Sequence, residues 1–228
     1  MAGPVKPRRR YDSTRRQEQA QRTRVAIVAE ARRLFLERGY AGTTMSAVAH
    51  AAGVSVETVY KTFGNKARLL KGTFDVAIVG DHQPVPMLQR ELVHRITAEP
   101  DPRRKLSMYG EHLAEAGPRA GALQLLAREA AAGDPEAAEV WDQMVTERLT
   151  GMTEFARHLH EGGHLRADIS VEEARDVLWT FNSVELYDLL VLQRGWAKER
   201  YGRWVAAALV SALLPDARGA DHAWPSDE

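Results

Sequence analysis

The sequence predicts an all-α fold, in which a small N-terminal domain of short helices precedes a larger helical domain. Three observations carry this. Apolar residues recur at three- and four-residue spacing through most of the 228 residues. No stretch alternates apolar and polar residues with β-branched enrichment and turn residues at its ends, which removes strands. Gly and Pro, with Ser, Thr and Asn, fall at the ends of the periodic segments, where helices start and stop. A composition of 44% hydrophobic and 27% charged residues suits an ordinary globular protein. The absence of cysteine excludes disulfides, thiolate metal sites, iron–sulfur clusters and cysteine nucleophiles.

Each element follows in order. Residues 1–12 hold Pro4, Pro7 and the run Arg8-Arg9-Arg10 with little apolar content, and are expected to form a mobile basic arm. Order begins near Ser13, with Thr14 and Gln17 as a capping box. Ile27, Val28, Ala31, Leu34 and Phe35 then extend one long amphipathic helix to a stop at Gly39. Thr43-Thr44 cap a short segment, Met45 to Ala52, that Gly53 ends. After the turn Gly53-Val54-Ser55, Ser55 caps a second short helix with Val59 and Phe63 inward, and Gly64 closes it. Asn65 caps a fourth helix, Lys66 to about Val79. Beyond Met87, the breakers Pro100/Pro102, Gly117-Pro118, Gly133-Asp134-Pro135, Gly162-Gly163 and Gly195 divide approximate helices 87–98, 103–116, 119–132, 135–161, 171–193 and 197–214. Residues 215–228 read as a flexible tail. The longest nearly unbroken apolar stretch, Trp204 to Leu214, falls short of the roughly 18 residues that span a bilayer, so no membrane association is expected. The basic N-terminus has no apolar stretch behind it, unlike a secretory leader.

Lys plus Arg and Asp plus Glu are both 31, yet the neutrality is only global. Residues 1–71 contain 15 basic and 5 acidic side chains, net +10, leaving 16 against 26, net −10, for residues 72–228. One end is built to meet a polyanion and the other is not.

Two short helices joined by a three-residue turn containing Gly follow the helix-turn-helix plan, whose second helix enters the DNA major groove. In that register Val56, Glu57, Thr58 and Lys61 face the groove, opposite Val59 and Phe63. Glu57 accepts from cytosine, Lys61 donates to guanine, and Val56 or the Thr58 methyl meets thymine. The plain alternative for Glu57 and Lys61 is an i, i+4 surface ion pair. Thr43 and Thr44 at a helix N-terminus, and Lys66 at the start of the fourth helix, are expected at phosphates, with capping alone as the alternative for the threonines. Tyr60 offers a phenol to a phosphate or, alternatively, packs half-buried against the long helix. Arg8, Arg9 and Arg10 of the arm are expected to track phosphates or an adjacent minor groove.

Residues 24–71 resemble the DNA-binding domain of the TetR (tetracycline-repressor-like) bacterial regulators. The likeness is carried by Leu34-Phe35, Gly39-Tyr40, Thr43-Thr44, Val48-Ala49, Ala52-Gly53-Val54-Ser55, Thr58-Val59-Tyr60, Phe63 and Lys66. Many members have aromatic or His residues after the tyrosine, where this chain has Lys61-Thr62, so their base preference does not transfer. The resemblance implies an N-terminal three-helix helix-turn-helix domain, residues 13–71. It also implies a C-terminal domain, residues 72–214, that binds an effector and forms a homodimer. Leu178-Trp179, Glu185, Tyr187, Gly195-Trp196, Tyr201 and Trp204 look like a C-terminal pattern of bacterial members.

The last helices are apolar on more than one face, which calls for a partner, with Phe181, Leu189, Leu192, Tyr201, Trp204, Val205, Ala208, Leu209 and Ala212 as the dimer seam. Met108, Tyr109, His112, Trp141, Met144, Phe155, Trp179 and Asn182 are candidates to line a mostly apolar effector pocket, although such residues also suit plain core. Glu154, His158 and Glu161 share a helix face with His160 and His164 nearby, but exposed helix ends collect such residues and no metal or other cofactor is expected. No phosphate-cradling Gly motif, nucleophile elbow or zinc-protease motif is present, so an enzyme is not expected. The resulting expectation is a cytoplasmic bacterial repressor, homodimeric on a palindromic duplex operator and released by a small, mostly apolar effector. Two alternatives stay open: a ligand-independent DNA-binding architectural or protein-interaction module, and an enzyme in the C-terminal helices.

Overall fold

The computed structural model describes residues 9–83 and 85–215, with side chains from residue 15 onward, and among them every regular element is helical. Arg8, the side chains of Arg9 and Arg10, and all but the first residue of the expected tail 215–228 lie outside the described part.

Helix α1, Arg9–Gly42, starts earlier than its capping box suggests, so Thr14 is an interior residue. A capping residue is a permission to start, not a barrier. The Arg, Gln and Glu residues around it are strong helix formers, and nothing N-terminal to Thr14 breaks the run until Pro7. Gly39, at φ 71°, leaves the helical conformation as expected and kinks the last turn. Helices α2, Met45–Ala51, and α3, Val56–Phe63, are capped by the side chains of Thr44 and Ser55, which accept from the backbone N–H groups of Ala47 and Thr58. Between them Gly53 takes φ 66°, and the Val54 N–H returns to the Ala49 carbonyl. Helix α4, Lys66–Val79, is capped by Asn65 through the Arg68 N–H.

After a single 3₁₀ turn at Met87–Gln89 comes α5, Glu91–Ala98. The expected helix 87–98 is thus broken at Arg90, which is extended and whose guanidinium donates to Asp81 and to the carbonyls of Gln83 and Val85. Helix α6, Pro102–Ala131, runs straight through Gly117-Pro118, where two helices were expected. Packing overrides the proline here: a Cβ at Gly117 or Gly121 would lie 2.3 or 2.9 Å from the Tyr187 ring. Both glycines must stay one turn apart on one helix to receive that ring. Helix α7, Pro135–Glu161, agrees with expectation. The expected helix 171–193 is three pieces: α8, Val171–Phe181, with a Ser170–Glu173 capping box; α9, Val184–Tyr187; and a π-helical stretch, Asp188–Gln193. Asn182 and Ser183, which prefer local hydrogen bonds to helix interiors, make the break. Helix α10, Lys198–Leu213, follows.

The described residues form two compact units, one from the segment up to residue 77 with 123–140, the other from 78–122 with the segment from 141 on. In the first unit Ile27, Val28, Ala31, Leu34 and Phe35 of α1 are buried with Val48, Ala49, Val59, Phe63, Leu69 and Leu70. Tyr40 donates to Asp134 at 2.9 Å, and that carboxylate also caps α7 through the N–H groups of Glu136 and Ala137. The hydrogen bond from Tyr40 holds the Asp134 carboxyl below the usual carboxylate range. In the second unit α6 and α10 cross backbone to backbone, since a Cβ at Gly110 would lie 2.3 Å from the Gly202 carbonyl oxygen and one at Gly202 2.5 Å from that of Gly110. Lys105, 2% exposed, donates to the Ile96 and Thr97 carbonyls at the end of α5 and thereby caps it.

Candidate functional site

Helices α2 and α3 meet through a three-residue turn, and the inward residues Val48, Ala49, Val59 and Phe63 fix the rotation of α3. With Val59 and Phe63 buried, Val56, Glu57, Tyr60 and Lys61 fall on the exposed side. Tyr60 is 50% exposed on this side. The Thr58 hydroxyl shares a 2.8 Å hydrogen bond with Ser55 Oγ, and Thr58 is partly exposed. Thr44, exposed, pairs its capping role with backbone N–H groups at the α2 terminus.

Two further residues expected at phosphates make contacts within the domain. Thr43 is fully buried and its hydroxyl donates to the Gly39 carbonyl at 2.8 Å, because the kink at Gly39 frees that acceptor and turns Thr43 inward. Lys66 folds onto the end of α1: its ammonium donates to the Tyr40 carbonyl at 3.0 Å and sits 4.0 Å from the centre of the Tyr40 ring. At the other end of α1, Arg15, Arg16, Gln19 and Arg22 line a shallow surface hollow, a positive stripe on the same unit. Arg24 instead stacks over the Phe63 ring at 4.6 Å.

The second unit holds the other candidate site. Tyr109, Met152, Phe155 and Trp179 lie in or against one apolar cluster. The Tyr109 hydroxyl donates to Met152 Sδ at 3.3 Å, and Tyr109 meets Phe155 edge to face at 5.3 Å. Asn182 reaches the same sulfur at 3.7 Å. Met108 belongs to this cluster, whereas Trp141 and the buried Met144 lie outside it. His112 is held neutral, with burial and then the Arg119 charge pushing its pKa down to about 4.

Arg148 was not among the expected site residues. Its Nη1 donates to the Asn182 carbonyl at 3.2 Å and its guanidinium stacks 4.5 Å from the Trp179 ring. The sequence signal is legible in retrospect: Met144, Arg148, Met152 and Phe155 recur at helical spacing, so a cation sits in register with an apolar stripe. Of the expected dimer seam, Tyr201, Val205 and Leu209 are buried in the core of the second unit, because that face of α10 turns toward it. Leu189 and Leu192 are half exposed, and Phe181, Trp204, Ala208 and Ala212 are partly so. Among the described residues no group of three or more His, Asp or Glu side chains is placed to hold a metal; His158 instead faces the Lys105 ammonium at 3.1 Å.

The turn, the exposed face of α3 and the positive stripe of α1 define a helix-turn-helix DNA-binding domain. Residues 27–73 match the family model described as bacterial regulatory proteins, tetR family, and the N-terminal domain belongs to that family. Over 61 residues the chain is 43% identical to the HTH-type transcriptional regulator TtgR of Pseudomonas putida, a match covering 27% of this chain and 29% of the relative. The chain thus aligns with less than a third of the length of this curated relative. Solved structures share the fold more widely. The transcriptional regulator FadR of Bacillus subtilis, in complex with stearoyl-CoA, superimposes with TM-score 0.63 at 21% identity over 82% of this chain and 97% of that one. NalD, the secondary repressor of the MexAB-OprM multidrug efflux pump in Pseudomonas aeruginosa, gives TM-score 0.63 at 20% identity over 87% and 99%.

Proposed function

We propose that the protein is a sequence-specific transcriptional repressor whose hold on its operator is relieved by a small, mostly apolar effector. The exposed face Val56, Glu57, Tyr60 and Lys61 of α3 carries this reading, since it leaves base-reading side chains outward on a domain of net positive charge. Thr44 and Tyr60 supply phosphate contacts beside them, with the arm Arg8, Arg9 and Arg10 beyond. Thr43 and Lys66 hold the domain together instead. On this reading residues 13–71 serve DNA, and residues 72–214 serve effector and dimer.

Leu189 and Leu192, with the partly exposed Phe181 and Trp204, support a two-fold homodimer, so the operator is an inverted repeat with half-sites about one helical turn apart. The effector site draws on Tyr109, His112, Phe155, Trp179 and Asn182. Helices α4, α6 and α7 each carry the chain from one unit into the other, which offers a covalent route for coupling. Coupling of about 1–3 kcal/mol lowers operator affinity roughly 5- to 150-fold, and DNA weakens effector binding by the same factor. No catalytic role is assigned, and the place of action is the cytoplasm, where the DNA is.

Selection of bound duplexes from a random pool tests this directly. The expected outcome is an inverted repeat bound with about a thousandfold or greater preference over random duplex. Recovery of no consensus would replace this reading with that of an architectural protein.

A further inference from the structure

Among the described residues of the second unit, two buried N–H donors have no acceptor: Nε of Arg148 and Nε1 of Trp179. They belong to groups stacked on one another, with the guanidinium carbon 4.5 Å from the indole ring centre, so the two unmet donors lie in one neighbourhood. An unmet buried donor costs on the order of 1–3 kcal/mol, and two side by side mark a place where an acceptor is missing from the protein itself. The surroundings are aromatic and apolar: Tyr109 and Phe155 meet edge to face, and Met152 supplies a soft, polarizable contact to the Tyr109 hydroxyl.

Charge narrows the class further. Burial works against the Arg148 charge, and the Glu185 carboxylate supports it, so a counter-charge is already within reach of the guanidinium and the unmet donors call for an acceptor. A cationic ligand would set its own donors against donors already unmet, beside a guanidinium. We propose that the effector is an uncharged molecule with a flat apolar body and a carbonyl oxygen, as in a ketone, ester or lactone, which accepts from Arg148 Nε and Trp179 Nε1. The inference rests on the effector reading of this unit and specifies the chemistry of its ligand.

Matched probes on the full chain test it. Acetophenone, ethylbenzene and 1-phenylethylamine differ only at the acceptor, as do 2-acetylnaphthalene, 2-ethylnaphthalene and 1-(2-naphthyl)ethylamine. Titration calorimetry is expected to give the ketone of at least one series about tenfold or greater preference over its hydrocarbon, with the ammonium form binding no better than the hydrocarbon. Trp179→Phe, which keeps the ring and removes the donor, should cut that preference severalfold, and Arg148→Met should abolish it. In the unsubstituted protein, the indole N–H proton resonance absent from the Trp179→Phe spectrum should move downfield with the ketone and not with the hydrocarbon. Equal affinity for ketone and hydrocarbon, or preference for the amine, overturns the carbonyl assignment and leaves the effector reading standing. Absence of saturable binding in both series overturns the two together.

Discussion

Lys61 and Lys66 lie five residues apart with the same charge, and their different surroundings set up different expectations. Lys61 is exposed on the outward side of α3, whereas the Lys66 ammonium holds the Tyr40 carbonyl and ring. Lys61→Ala is therefore expected to leave the urea midpoint unchanged and relax base preference at one half-site position by about 1–3 kcal/mol. Lys66→Met should lower stability by about 1–2 kcal/mol, through loss of a charge-assisted hydrogen bond and a cation–π contact that are only partly buried. A Lys66→Met protein of normal stability that binds every duplex weakly would return Lys66 to the phosphate backbone. His112 yields a pH dependence. Its folded pKa of about 4 lies below the ordinary histidine value, so the unfolded chain binds more protons between those limits. Its contribution is thus full above about pH 6.5 and is lost as pH falls toward 4, by at most about 3 kcal/mol. Urea unfolding at pH 7.5 and 5.0 should show this loss, and His112→Leu should shrink it; an undiminished loss would place its origin elsewhere.

At the scale of elements, the glycines of the long helices sort by what a methyl group would strike. Gly110→Ala and Gly202→Ala each drive a Cβ into a carbonyl of the facing backbone, which cannot rotate away, and each is expected to cost about 3 kcal/mol or more. Gly151→Ala in α7 meets open space and should stabilise by about 0.5–1 kcal/mol through helix propensity alone. Thermal melts of the three variants check the opposite signs. Where sequence reading succeeded and where it failed follows from the same distinction. Local chemistry fixed α2, α3, α4 and α7, whose caps Thr44, Ser55, Asn65 and Asp134 act within a turn of themselves. The turn with Gly53 and the inward Val59 and Phe63 set the recognition face for the same reason. The continuity of α6 through Pro118 depends on a tyrosine about 70 residues away, and the burial of Thr43 depends on an acceptor that the Gly39 kink exposes. Neither is written in any local pattern. Arg148 stood in plain view within an apolar stripe, but its value depends on stacking with Trp179, a residue of another helix.

For the molecule as a whole, the division of charge governs how it meets DNA. A net +10 on residues 1–71 against −10 on residues 72–228 directs the N-terminal segment toward the polyanion and the remainder away from it. Affinity should fall steeply with salt, with a log–log slope of about −0.9 for each phosphate neutralised, and removal of residues 1–12 should flatten that slope by several such steps. Anisotropy titrations across a range of salt concentrations measure it, and an unchanged slope would show that the arm touches no phosphate. The crossing of α6 and α10 bears on a different property. Two backbones that touch at paired glycines leave no side-chain layer between them through which water can enter, so neither helix can loosen while the other stays in place. Amide protons around Gly110 and Gly202 should therefore exchange with deuterium only when the entire second unit opens, at one shared and slowest rate, while those of the π-helical stretch Asp188–Gln193 exchange through small local fluctuations. That seam is the clock against which every other motion of the unit can be timed.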